Sequence, residues 1–136
     1  MPRKAPYGVQ RHTLNFYHAL PTGTGAVEIV TDWVGGFGYV IESVKAYVAV
    51  AGTGTSASRT YRVLKGASTV AATRTLVLAD TATVGAEVVF TVDPAKAEYS
   101  DTDKLTVDFA SGGTAFTAGA VNLVIVYREV NQRERD

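Results

Sequence analysis

From Ala26 onward the chain alternates. Leu105, Val107 and Phe109 fall on one side of a period-two pattern and Thr106 and Asp108 on the other, and Arg59, Tyr61 and Val63 alternate in the same way with Thr60, Arg62 and Leu64. A repeat of two belongs to a β-strand, whose successive side chains point to opposite faces. Glycines punctuate the pattern at Gly35-Gly36-Phe37-Gly38, Gly52-Thr53-Gly54, Gly66, Gly85, Gly112-Gly113 and Gly119, with a further break at Asp93-Pro94. Turn residues at such short intervals mark the corners between short strands. The pattern predicts strands near Val27–Val34, Tyr39–Ala51, Arg59–Lys65, Val70–Leu78, Glu87–Val92, Lys104–Ala110 and Ala120–Val130. The segments 39–51 and 120–130 are apolar at nearly every position, which predicts central strands covered on both faces, or strands with one face against a partner subunit. β-branched residues and frequent glycines leave room for no helix beyond a single turn at Ala95–Tyr99.

Seven to eight short strands without long helices predict an all-β fold, an antiparallel β-sandwich. The immunoglobulin arrangement lacks its usual cysteine pair here, and long crossing strands with glycine-rich corners favour a jelly-roll-like topology.

Residues 1–25 differ from the rest of the chain. They hold Arg3, Lys4 and Arg11, three of the four prolines and no acidic residue, the first being Glu28. This composition predicts an extended N-terminal arm and linker over residues 1–25, preceding a sandwich domain over residues 26–136. Within the arm, Thr13–Leu20 (TLNFYHAL) has the makings of a segment that packs on a surface or pairs as a short strand. Pro21 and the run Thr22-Gly23-Thr24-Gly25 then read as a hinge.

Composition narrows the function classes. With 136 residues, 46% of them hydrophobic and 19% charged, the chain has the makings of one folded domain. Thirteen basic residues balance thirteen acidic ones, so no net field draws it to nucleic acid or to an anionic membrane. There is no cysteine, hence no disulfide framework, thiolate metal site or thiol nucleophile, and the redox compartment stays open. The longest apolar stretch, Val44–Ala51, is interrupted by Lys45 from its second residue and falls short of the roughly 20 residues a spanning helix needs. The basic start MPRKAPYGVQRH has no apolar core behind it, which predicts no secretory signal.

Catalytic and metal-binding motifs are present only in fragments. Gly52-Thr53-Gly54-Thr55-Ser56-Ala57 matches the G-x-G-x-x-A dinucleotide fingerprint in form, but an alternating strand pattern comes next where the fingerprint needs a helix. Asp93, Glu98, Asp101 and Asp103 offer oxygen ligands for calcium, yet the glycine and terminal glutamate of an EF-hand loop are missing and Lys96 and Lys104 lie among the acids. His12 and His18 have no third nitrogen or sulfur ligand to complete a zinc site. Glu42 and Asp108 are candidates for a glycosidase pair and read more simply as surface or interface charges. The expectation is a protein that is not an enzyme, with no metal and no cofactor.

Binding residues are easier to nominate. In the arm, Arg3, Lys4, Tyr7, Arg11, His12, Phe16 and Tyr17 combine basic and aromatic side chains of the kind enriched at protein interfaces. Contact with a neighbouring protein is favoured there over simple disorder and over stacking on nucleic-acid bases. In the domain, Trp33, Phe37 and Tyr47 are candidates for an interface or a ligand platform.

The order of segments also carries a resemblance. YVIESVKAYVAVAGTGTSASRTYRVLKG, then TLVLAD, VVFTV and YSDTDKLTVDFASGGTAFTAGAVNLVIVYRE, together roughly residues 38–129, resemble the auxiliary head proteins of tailed bacteriophages, the decoration or cement proteins of capsids. The resemblance implies a jelly-roll-like sandwich that forms a homotrimer, binds the major capsid protein and stabilises the virion surface after assembly in the host cytoplasm. Residues 1–20 would then act as the arm that grips the shell. The alternative is a carbohydrate- or receptor-binding β-sandwich from a phage tail or fibre, or from a secreted protein.

Overall fold

The computed structural model describes residues 11–29, 38–100 and 102–130. In them the period-two pattern becomes ten strands: β1 (Arg11–Ala19), β2 (Gly25–Ile29), β3 (Gly38–Thr53), β4 (Ser58–Lys65), β5 (Thr69–Val77), β6 (Glu87–Val89), β7 (Thr91–Val92), β8 (Glu98–Tyr99), β9 (Leu105–Ser111) and β10 (Ala118–Val130), with a 3-10 turn at Leu78–Thr81. One sheet runs β1-β10-β3, with β6 and β8 sharing the far edge of β3, and the other runs β2-β9-β4-β5-β7. Every strand pair is antiparallel. The pairings β1 with β10, β2 with β9, β3 with β6 and β8, and β4 with β5 are those of one long folded-over ribbon wound into two sheets, which is a jelly roll.

The two continuously apolar segments are neighbours in the middle of the first sheet. Their inward residues Val44, Ala46, Val121, Leu123 and Ile125 are fully buried against Tyr61, Val63, Leu76, Leu105 and Val107 of the second sheet. Their outward residues, including Ser43, Lys45, Tyr47, Asn122, Val124 and Val126, are half-buried.

The strand count exceeds the expected seven to eight because Glu87–Val92 changes sheets midway. β6 pairs with β3, β7 pairs with β5, and buried Phe90 sits between them with its N–H bonded to the Val44 carbonyl (2.9 Å). Part of the Ala95–Tyr99 segment, expected as a turn, pairs with β3 instead as β8. The arm boundary also moves. Residues 11–20 belong to the sandwich: β1 pairs with β10 along its whole length, Arg11 to Arg128 through Ala19 to Ala120, and Leu20 is buried in the core. The cause is again period two, since Leu14, Phe16 and His18 face inward while Thr13, Asn15 and Tyr17 face out.

The connections β1–β2, β3–β4, β5–β6 and β9–β10 gather at one end, where Gly25 lies opposite Phe109, Thr53 opposite Ala118 and Ser58 opposite Val77. Two glycines make this end possible. A Cβ on Gly119 (φ +119°) would stand 2.7 Å from Gly52 Cα, and one on Gly52 would stand 2.3 Å from Thr81 Oγ1. Gly52 of the apparent nucleotide fingerprint therefore serves backbone packing, and the chain runs on into β4 without a helix.

Candidate functional site

Three places gather the polar and aromatic side chains. The first is the outward face of the β1-β10-β3-β6 sheet. Tyr17, Asn122, Tyr47 and Glu87 form one cross-strand row, and Asn15, Val124, Lys45 and Val89 form the next. The Tyr47 hydroxyl donates to Glu87 (2.9 Å), and Lys45 lies 3.6 Å from the same carboxylate. That bond raises the Tyr47 pKa. Tyr17 and Val89 are exposed at 59% and 52%, which is high for large apolar or aromatic groups on a sheet face. At the end of this face Arg11 donates to Glu42 through Nε (2.6 Å) and Nη2 (3.3 Å), and Arg128 approaches the same carboxylate at 3.6 Å.

The second place is a ring cluster near the start of β1. His12 stacks on Tyr127 (centroids 5.2 Å apart) and meets the edge of Tyr39 (6.2 Å), with Nε2 3.4 Å from Glu129. Burial raises the pKa of Tyr127.

The third lies between the sheets at the loop end. His18 on β1 and Tyr61 on β4 join the two sheets through a 2.7 Å bond between Nδ1 and the phenol. The His18 ring packs 4.0 Å from Phe109 and 5.4 Å from Phe16. Beside them Arg59 is 1% exposed, its guanidinium 5.9 Å from the Tyr61 ring and 5.5 Å from the Phe109 ring. Tyr61 is the neighbour that most favours its charge, yet none of the three side-chain nitrogens has a hydrogen-bond partner. Burial, and then repulsion from Arg59, lower the His18 pKa from 6.5 to about 4, so the imidazole is neutral at physiological pH. Burial pushes the Tyr61 phenol well above its ordinary value.

The nominated residues thus divide. Arg11, Tyr17 and Tyr47 share the outer face of one sheet, whereas Phe16 turns inward onto His18 and His12 joins the ring cluster. Arg3, Lys4, Tyr7, Trp33 and Phe37 lie outside the described residues. Glu42 and Asp108 sit on different sheets, and Asp108 is held by Arg62, whose Nε donates to both its oxygens (2.9 and 3.1 Å). Asp93 and Asp103 accept backbone N–H bonds from Ala95 and Ser100. Among the described residues no group of three or more His, Asp or Glu side chains is placed to hold a metal ion.

Arg59 is the site residue that sequence reasoning passed over. Its alternation with Tyr61 and Val63 puts it on the inward face, a signal present in the pattern, but a guanidinium on a core face runs against the usual distribution of charge.

No family model matches the sequence, and no curated protein matches it either. Among solved structures, a chain from work reporting that Bacillus endospore appendages form a novel family of disulfide-linked pili is similar, with a TM-score of 0.42 and 18% identity over 96% of this chain and 96% of that one. A likeness of that size carries no argument about function.

Proposed function

We propose that this protein is a structural, non-enzymatic subunit that decorates the outer surface of a tailed-phage capsid. The sandwich is the oligomerising body, a trimer as the resemblance implies, and residues 1–10 grip the major capsid protein. One observation carries the oligomer: the outward face of the β1-β10-β3-β6 sheet presents Tyr17, Tyr47, Val89, Val124 and Val126 across four strands, interleaved with Asn15, Asn122, Lys45 and Glu87. Large apolar side chains of this kind contribute roughly 1.5–3 kcal/mol each when an exposed one becomes fully covered. A standard interface of about 800 Å² per partner is within the reach of one sheet face. Many copies on a lattice then add through multivalency, so each contact with the shell can be weak.

Sedimentation velocity at micromolar concentration tests the body. The wild-type chain sediments as an oligomer, and Val124→Lys, which places a charge at the centre of the face, converts it to a monomer with an unchanged circular-dichroism spectrum. A wild-type monomer would remove the oligomer from the proposal. Co-sedimentation with shells of the phage that encodes it tests the capsid part. Removing residues 1–10 abolishes binding while leaving β1 intact; equal binding by the truncated chain overturns the grip. A selective glycan bound by the wild type and lost in Tyr17→Ala would move the same face to the alternative, a sugar-binding module.

A further inference from the structure

We propose that Arg59 anchors an occluded site for one small monovalent anion, chloride or a carboxylate of acetate size, between the sheets at the loop end of the sandwich. Buried polar groups are almost always hydrogen-bonded, and an orphaned one calls for a specific cause. Arg59 is an extreme case, because it is 1% exposed and its Nε, Nη1 and Nη2 all lack an acceptor. A buried lysine or carboxylate escapes by becoming neutral, but a guanidinium holds its proton at any ordinary pH. The Tyr61 and Phe109 rings, at 5.9 and 5.5 Å, and the nearby Tyr61 hydroxyl offset part of the charge's burial, but none of the group's nitrogens finds an acceptor in full hydrogen-bond geometry.

The chain supplies no counter-ion from the described residues. Glu28 pairs with Lys104, Glu42 with Arg11 and Arg128, Asp80 with Arg74, Glu87 with Lys45, Asp93 with Lys96 and Asp108 with Arg62, while Glu129 lies beside His12, Glu98 opposite Val40 and Asp103 on the Ser100 N–H. The residues that border the undescribed segments, Arg11, Ile29, Gly38, Ser100, Thr102 and Val130, lie at or near the opposite end. Arg59 is six residues along β4 from Lys65, which faces Leu105 at that end, a separation of roughly 20 Å at a strand's rise.

The class of anion is set by charge and space. The groups facing Arg59 are His18 from β1, Tyr61 from β4 and Phe109 from β9. All three are uncharged at neutral pH, so one fixed positive charge is balanced by one negative charge. A phosphate or sulfate dianion would leave a buried net negative charge in its place. Arg59 is 1% exposed and walled by the Tyr61 and Phe109 rings, and this enclosure favours an ion of few atoms. Entry then requires the loop end to open, and exchange is slow.

The test uses the full chain in urea unfolding at constant ionic strength, with sodium sulfate replaced stepwise by sodium chloride in one arm and by sodium acetate in the other. A bound anion stabilises the folded state by mass action, so each tenfold rise in its concentration above Kd changes the unfolding equilibrium tenfold. The same titration raises the NMR midpoint of the His18 ring, because the anion screens it from Arg59. Arg59→Met abolishes both responses. A response in the chloride arm alone assigns a halide, and one in the acetate arm alone or in both assigns a carboxylate-sized site. If the wild-type unfolding equilibrium and His18 midpoint ignore both anions, the site does not exist, whether or not Arg59→Met folds; an Arg59→Met chain more stable than the wild type would then mark Arg59 as an uncompensated charge.

Discussion

Acid weakens this fold through His18. The imidazole is 7% exposed and bonded to Tyr61, and burial, ahead of repulsion by Arg59, lowers its pKa to about 4 from 6.5. A base whose folded pKa is depressed binds fewer protons folded than unfolded between those two values, so stability falls as pH falls across that window. The effect is absent above about pH 7 and levels off below about pH 4. At about 1.4 kcal/mol per pKa unit, acidification from pH 8 to pH 4.5 removes roughly 2–3 kcal/mol through this residue. Carboxylates titrate over the same range, so the measurement is a comparison. Urea unfolding is followed at both pH values in low-chloride buffer for the wild type and for His18→Gln, which keeps a hydrogen-bonding group toward Tyr61 but does not titrate. The wild type loses roughly 2–3 kcal/mol more than the variant, equivalent to a melting-temperature difference of roughly 10 °C for a chain of this size. Equal losses in the two proteins would refute the assignment of the acid sensitivity to this imidazole.

Two further outcomes depend on the packing. Gly119→Ala forces a side chain into a positive-φ position and onto Gly52 Cα at 2.7 Å, and should cost about 2–4 kcal/mol in chemical denaturation; a loss under 1 kcal/mol would mean that the two backbones can part freely. Arg62→Ala removes the pair with Asp108, half-exposed on the outer face of the other sheet, and should change stability by less than about 1 kcal/mol, a shift of a few degrees at most in a thermal scan.

Much of the architecture was legible because it depends on period and punctuation. β3 and β10 announced themselves as central strands by apolar residues on both faces, and the glycines marked the corners. What escaped depends on pairing across the chain. Nothing local distinguishes the strand Glu87–Val92 from one that changes partner at Phe90, since its alternation is the same on either sheet. β1 looked like arm because basic residues, prolines and the absence of acids surround it, although the inward set Leu14, Phe16 and His18 was in view. The outer face with Tyr17 and Tyr47 is a product of register: only the pairing of both strands with β10 puts Asn122 between them. Alternation puts Arg59 on its inward face, but its burial beside His18, Tyr61 and Phe109 depends on three strands that meet only in the folded sandwich.

The ribbon topology also governs how the protein is made. β10 lies between β1 and β3, so β1, the first of the described strands, has no neighbour in its sheet among the described residues until residues 118–130 have left the ribosome. Its inward side chains Leu14, Phe16 and His18 must wait, half-covered at best, while some hundred residues are added. Long-range pairings of this kind are slow to form and leave apolar strand surface open to wrong partners meanwhile. A chain that stops before Ala118 cannot assemble the first sheet, and it cannot present the outer face of β1, β10 and β3 on which Tyr17, Asn122 and Tyr47 line up.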